Sequence, residues 1–180
     1  MISGSPGASA PAGETIAASR AAASRDALLD VRGIGKTFQT REGSTTAVEA
    51  MSFTVSEGEF VSIIGPSGCG KSTVFNIIGG LVADYRGEVR VCGEKVSGTH
   101  PAIGMVFQEE STFPWRNVAD NVAFPLEISG ISKTARLERA AHFVEMVGLR
   151  GFERHYPSQL SGGMRQRVAL ARTLASSPRL

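Results

Sequence analysis

One hundred and eighty residues and 19.0 kDa give room for one full domain or slightly more, and not for two. Apolar residues at 42% and charged residues at 20% match a globular chain that buries a core, and the net charge of +2 is too small to point to a nucleic-acid or membrane-surface partner. The charge is unevenly spread: residues 149–180 carry six arginines against Glu153, a local +5 that leaves −3 for the rest of the +2 chain. Cys69 and Cys92 form neither a disulfide framework nor a Cys/His metal pattern, so a reducing compartment is expected.

Residues 1–25 hold eight Ala, five Ser, three Gly and two Pro. Such a segment buries too little apolar surface to offset its ordering entropy and reads as a disordered tail. Without a continuous apolar core behind a basic start, it is not a secretory signal. From Leu28 the texture changes. Leu28 to Arg32, Ala47 to Val55 and Phe60 to Ile64 read as short strands separated by Gly and polar turns. A helix is predicted from Ser72 to Gly80, then strands from Glu88 to Cys92 and Ile103 to Phe107. Three helices follow: Asn117 to Ile128, Ser132 to Val147 with Ser132 as N-cap, and one starting at Ser161. The stretch from Val74 to Ala83 is the longest apolar-rich one, and it falls short of the roughly 18 to 20 residues that a membrane-spanning helix needs.

Gly65-Pro66-Ser67-Gly68-Cys69-Gly70-Lys71-Ser72-Thr73 fits G-x-x-x-x-G-K-[ST] in full, between a predicted strand and a predicted helix. Glycines let the backbone curl so that successive N–H groups converge on phosphate oxygens, and the helix start adds its positive dipole end. In that pattern Lys71 bridges the terminal phosphates and the Ser72 hydroxyl joins the Mg²⁺ shell. The loop alone leaves kinases, GTPases and ATPases open, although a guanine-reading N-K-x-D run is absent from the sequence.

Leu160-Ser161-Gly162-Gly163-Met164-Arg165-Gln166-Arg167 is a second small-residue loop opening a helix. Alone it is a capped helix start; with the phosphate loop upstream it is a second anion cradle. One nucleotide does not need two such cradles in one protomer.

With both loops in place the sequence resembles the ATP-binding subunits of ABC transporters from about Leu28 to Leu180. The resemblance implies an α/β P-loop NTPase of ABC type: a RecA-like core, an antiparallel β-subdomain and a helical subdomain. Residues 26–108 would form the core and β-subdomain, 109–160 the helical subdomain and 161–180 the signature helix. It implies ATP and Mg²⁺ as cofactors, with Phe38 stacking on adenine, Gly65 to Thr73 cradling phosphate, and Gln108 touching Mg²⁺ and the attacking water. Ser161, Gly162 and Gly163 would contact the nucleotide on an opposite protomer, sandwiching two ATP in a head-to-tail dimer. Lys71 and Gln108 are the catalytic candidates, and Ser72 and Gln108 the metal candidates. Phe38 is otherwise a strand-end core residue.

The segment Phe113 to Phe124 (Phe-Pro-Trp-Arg-Asn-Val-Ala-Asp-Asn-Val-Ala-Phe) looks like that of nitrate, sulfonate or taurine importers, as does Met164 where many relatives carry Gln. The implied partners are a second ATPase subunit, permease subunits and, indirectly, a solute-binding protein, with no nucleic acid. The implied location is peripheral, on the cytoplasmic face of the membrane. Trp115 is read either as packing in the helical lobe or as an exposed aromatic for a permease. His100, His142 and His155 lack ligand spacing and read as surface or packing residues, and the arginines of the last helix read as a solvated face. Cys69 is read as a tolerated small residue or an oxidation handle.

The family places an apolar strand ending in Asp-Glu, and later a switch histidine, beyond the position where the sequence stops. The resemblance therefore implies the N-terminal portion of an ABC ATPase subunit that hydrolyses ATP very poorly. It also implies open strand edges and uncovered apolar faces beside the phosphate-loop strand. Two alternatives stand: a non-catalytic nucleotide-binding fragment, and a soluble ABC protein of repair or translation. The first keeps the phosphate loop without turnover. The repair type is disfavoured, since only fifty-two residues separate Gln108 from Ser161, with no heptad pattern between them, and the translation type pairs two cassettes where the sequence shows one.

Overall fold

The computed structural model describes residues 27–40, 43–108 and 111–180. The expected tail over residues 1–25 lies outside them.

The first elements are long antiparallel strands, β1 (Leu29–Thr40) and β2 (Gly43–Val55), followed by helix α1 (Lys71–Ile78). Strands β3 (Arg86–Val91) and β4 (Glu94–Lys95) complete a four-stranded sheet of order β2-β1-β3-β4, in which every pairing is antiparallel. β1 sits in the middle: Leu29 faces Val55 on one side and Val91 on the other, and Val31 faces Phe53 and Val89. Leu29, Val31, Ile34, Val89 and Val91 are buried against Val74, Ile77 and Ile78 of α1. Burying each of those helix side chains contributes about 1.5–3 kcal/mol, and that contact fixes where α1, and so the loop before it, sits on the sheet.

Helices α2 (Val118–Ile128), α3 (Lys133–Met146) and α4 (Gly162–Ala175) build a separate core. Val118, Val122 and Leu126 of α2 meet Ala140 and Val144 of α3 and Val168, Ala171 and Ala175 of α4, with Leu149 and Leu160 closing the ends. The alanines let the helix axes approach closely. All three helices start where the sequence predicts. Asn117 caps α2 by accepting the Asp120 N–H at 2.8 Å, whereas Ser132 occupies the N-cap of α3 without a side-chain hydrogen bond.

Two predicted strands are not there. Phe60 to Ile64 and Ile103 to Phe107 have no ladder partner among the described residues, and Phe60 and Ile64 are 92% and 82% exposed. An apolar run becomes a strand only when a neighbour takes its N–H and C=O groups, and all the pairing here belongs to β1–β4. Phe60 and Ile64 therefore leave apolar surface exposed beside the phosphate loop, without the strand expected there. Conversely, β1 and β2 run far past their predicted ends, through residues such as Thr37, Thr45 and Thr46 that are exposed.

Candidate functional site

The phosphate loop joins the 60–64 segment to α1. Gly68 and Gly70 hold φ of 82° and 94°, in the left-handed region that favours glycine. A Cβ on Gly70 would lie 2.1 Å from the Ala47 carbonyl oxygen, so the loop lies directly against β2. Gly70 is also the N-cap of α1 and provides no side-chain cap. The first N–H groups of α1 are therefore uncapped by any side chain, and the positive end of the helix dipole faces the loop. Lys71 is half-buried, and its Nζ donates to the carbonyl oxygens of Gly65 (2.8 Å) and Pro66 (2.6 Å), 3.6 Å from Cys69 Sγ. Ser72 is exposed and Thr73 half-buried.

A cavity of about 630 Å³ opens beside this loop. Gly68 to Lys71 form one wall and Thr46 to Val48 of β2 another, with Arg86 at the rim donating to the Glu49 carbonyl at 2.9 Å. That volume suits a nucleotide-sized ligand. The donor set suits a polyanion: an ammonium, a guanidinium and helix N–H groups that the Gly70 N-cap leaves without a side-chain cap. The β2 residues and Arg86 are absent from the sequence-derived site. Their types carry no signal; only the hairpin register brings them to the loop.

Phe38 lies on β1 opposite Thr45, one residue along β2 from the cavity wall, and is 41% exposed rather than in the core. Lys36, almost fully buried, reaches the Asp84 carbonyl and its carboxylate (3.0 Å) and sits 5.0 Å from the Phe38 ring centroid. This ammonium caps the ring and leaves the remaining ring surface to solvent.

Gln108 is exposed on a bend, and neither it nor Ser161–Gly163 lines the Lys71 cavity. Ser161 caps α4 by accepting the Met164 N–H at 3.3 Å, with Gly162 and Gly163 exposed on the first turn. The structure therefore brings Gly65–Thr73 together with β2, and sets the second cradle on a different element. Among the described residues no His, Cys, Asp and Glu cluster could hold a metal by itself.

Trp115 is 72% exposed, with its ring 5.6 Å from that of Phe113, so it does not pack inside the helical lobe. Beside it Arg116 lies 4.9 Å from the Phe124 centroid and donates to Glu127 at 2.8 Å, which holds the Glu127 carboxyl below its usual range. The backbone under Trp115 hangs on Asn121, a fully buried residue absent from the sequence-derived site. Its Oδ1 accepts the Phe113 N–H at 2.8 Å, while its Nδ2 donates to the carbonyls of Phe113, Arg116 and Asn117. Its signal was an amide on the apolar stripe of Val118, Val122 and Leu126.

The solvated-face reading of the late arginines needs correcting at two positions. Arg165 reaches back to the Leu160 carbonyl, and Arg172 is half-buried over the Phe113 ring, where burial lowers its guanidinium pKa. Both are half-buried, Arg165 against the carbonyls that precede α4 and Arg172 against an aromatic ring.

The family model described as ABC transporter matches residues 48–180. The chain belongs to the ABC transporter family. It is 47% identical over 152 residues to the uncharacterised ABC transporter ATP-binding protein MJ0412 of Methanocaldococcus jannaschii, covering 84% of this chain and 57% of that protein. It is equally 47% identical over 138 residues to the taurine import ATP-binding protein TauB of Escherichia coli K12, covering 77% of this chain and 54% of TauB. This ABC chain thus spans about half the length of the curated relatives it matches. Among solved structures it superposes with a TM-score of 0.76 on the ATP-binding cassette MJ0796 in a dimeric post-hydrolysis state bound to ADP and Pi. That match has 37% identity and covers 83% of this chain and 70% of the other. The fold is therefore the ABC ATPase fold. No helix among the described residues is long and apolar enough to cross a membrane.

Proposed function

We propose that this chain is the ATP-binding, energy-coupling subunit of an ABC importer for taurine, nitrate, a sulfonate or a related small solute. The observation that carries the nucleotide part is the phosphate loop, with its left-handed Gly68 and Gly70, its uncapped α1 N-terminus and its adjoining cavity. Gly65, Pro66, Ser67, Gly68, Cys69 and Gly70 wrap the phosphates, and Lys71 turns from its loop carbonyls to the terminal phosphate. The Ser72 hydroxyl and Gln108 complete the shell of a Mg²⁺ ion, whose charge would offset that of the phosphates, and Thr73 supports the first turn. Phe38 stacks on the adenine. Residues 26–108 act as core and β-subdomain, 109–160 as helical subdomain and 161–180 as signature helix.

Ser161, Gly162 and Gly163 face the nucleotide of a second protomer in a head-to-tail dimer. This rests on the exposed position of that loop, away from the Lys71 cavity, and on the dimeric state of the MJ0796 cassette. The solute class rests on the 47% identity to TauB and on the 113–124 segment. Exposed Trp115 suits a permease contact, which would hold the subunit at the cytoplasmic face of the membrane beneath its solute-binding partner.

The test is titration of the 180-residue chain with a fluorescent ATP analogue, with and without Mg²⁺, beside Lys71→Ala. Loss of one charge-assisted phosphate contact weakens binding by about tenfold to a hundredfold. Equal affinities for the two proteins would exclude the phosphate loop as the site. Steady-state ATP turnover by the same preparations separates an energy-coupling ATPase from a chain that binds nucleotide without hydrolysis.

A further inference from the structure

Fifty-two residues separate Gln108 from the second cradle, which lies on a different element, yet side-chain contacts from α4 reach both flanks of Gln108. The connection is at the far end of α4. Before Gln108, the Thr173 hydroxyl lies 3.2 Å from the Met105 carbonyl oxygen and 3.1 Å from that of Ala169, sharing its proton between them. The approach is close, because a Cβ on Gly104 would lie 2.6 Å from Thr173 Cγ2. After Gln108, Arg172 Nη2 donates to Ser111 Oγ at 2.9 Å, and its guanidinium lies 5.1 Å from the Phe113 centroid. Consecutive residues on a helix project about 100° apart, so neighbouring side chains can hold two separate segments.

We infer that Arg172 and Thr173 are positioning residues that clasp the two flanks of Gln108, so that the Gln108 segment moves with α4. The other end of α4 starts at Ser161, about 17–18 Å from Arg172 and Thr173 at 1.5 Å per residue. A force on the second cradle is then transmitted along one helix to Gln108 and, through Phe113, to Trp115. The inference rests on the proposed nucleotide roles of Gln108 and Ser161, and goes beyond them by naming what joins the two.

Hydrogen exchange on the whole 180-residue chain tests the clasp without nucleotide. Arg172→Gln and Ser111→Ala each remove the same hydrogen bond from opposite sides, and Thr173→Val removes the other. Exchange at the hydrogen-bonded amides on the two flanks, Gly104 (to the Leu180 carbonyl) and Phe113 (to Asn121 Oδ1), should rise about tenfold, Gly104 most in Thr173→Val and Phe113 most in Arg172→Gln and Ser111→Ala, with β1, β3 and α1 unchanged. The Arg172→Gln/Ser111→Ala double variant should exchange no faster than Arg172→Gln alone, and Arg172→Lys, which keeps a cation and a donor, should fall nearer the parent. If Arg172→Gln unfolds the chain, Ser111→Ala and Thr173→Val decide alone. Unchanged exchange at Gly104 and Phe113 in those variants overturns the clasp.

A second arm uses Trp115, the single tryptophan in the sequence. MgATP should shift its emission in the parent chain, and Ser111→Ala should bind ATP equally well with the shift lost. A preserved shift also overturns the clasp. Failure of the parent to bind ATP would instead refute the nucleotide reading and leave the exchange data to judge the clasp.

Discussion

At the start of α1, Gly70 holds φ of 94° and a Cβ there would lie 2.1 Å from the Ala47 carbonyl oxygen; at the start of α4, a Cβ on Gly163 meets nothing within 4 Å. The two loops look alike in sequence and differ in what requires their glycines. Around Gly70 the requirement is internal: left-handed backbone and contact with β2. Around Gly162 and Gly163 the chain itself asks for nothing, since the backbone is helical and the nearest atom to a Cβ on Gly162 is Arg165 Nη2 at 3.7 Å. A helix gains from alanine at such positions, by about 0.5–1 kcal/mol over glycine. Glycine kept there against its helix propensity suits an approach from outside the chain, as the proposed second protomer would make.

That contrast can be broken most directly at Gly70. Gly70→Ala combines a strained φ with a collision against backbone and should destabilise the chain by about 3–5 kcal/mol, with ATP binding lost. Urea unfolding measures it. A loss below about 1 kcal/mol would mean that the loop does not lie against β2 as described.

In the helical lobe the residue with the larger internal requirement is Asn121 rather than either glycine, because it is fully buried and holds four backbone hydrogen bonds. Asn121→Ala strands the Phe113 N–H and several carbonyls, costing about 2–4 kcal/mol by the same unfolding measurement. Asn121→Asp tests the donor side separately: it keeps the acceptor for Phe113 N–H and loses the Nδ2 bonds to Phe113, Arg116 and Asn117. It should therefore remain destabilising, and a neutral result would remove the amide from its anchoring role.

These two positions also mark how far the sequence can be read. The three helices of the lobe were legible because their hydrogen bonds are local and their stripes, such as Val118, Val122 and Leu126, need only an apolar neighbour. Phe60 to Ile64 was not, because apolar content predicts a buried strand only if a partner strand is paired to it. The cavity wall at Thr46 to Val48 went unread because only the pairing of β1 with β2 brings those residues to the loop, and their types carry no sign of it. The phosphate loop itself was legible because each of its residue types has a separate physical task. Arg172 was misread because an arginine on a helix gives no sign of whether an aromatic such as Phe113 will cover it.

A smaller effect separates the serine from its glycines. Ser161→Ala removes the cap on the Met164 N–H and should lower stability by about 1 kcal/mol, visible as a small drop in the urea midpoint. If stability is unchanged, the Ser161 hydroxyl is not used within the chain, and its role would lie wholly with the proposed partner.

Gly163→Ala carries the smallest effect and the most information, because stability and assembly should move in opposite directions. Its backbone is helical and its surroundings are open, so alanine should raise stability by about 0.5–1 kcal/mol and speed no exchange in α4. The same methyl group lies where a second protomer's nucleotide would approach, so an ATP-dependent dimer, followed by light scattering, should weaken by about tenfold or more. A more stable chain that dimerises less well is the outcome specific to an externally required glycine. Lower stability would instead place Gly163 with Gly70, as a residue that the fold itself demands.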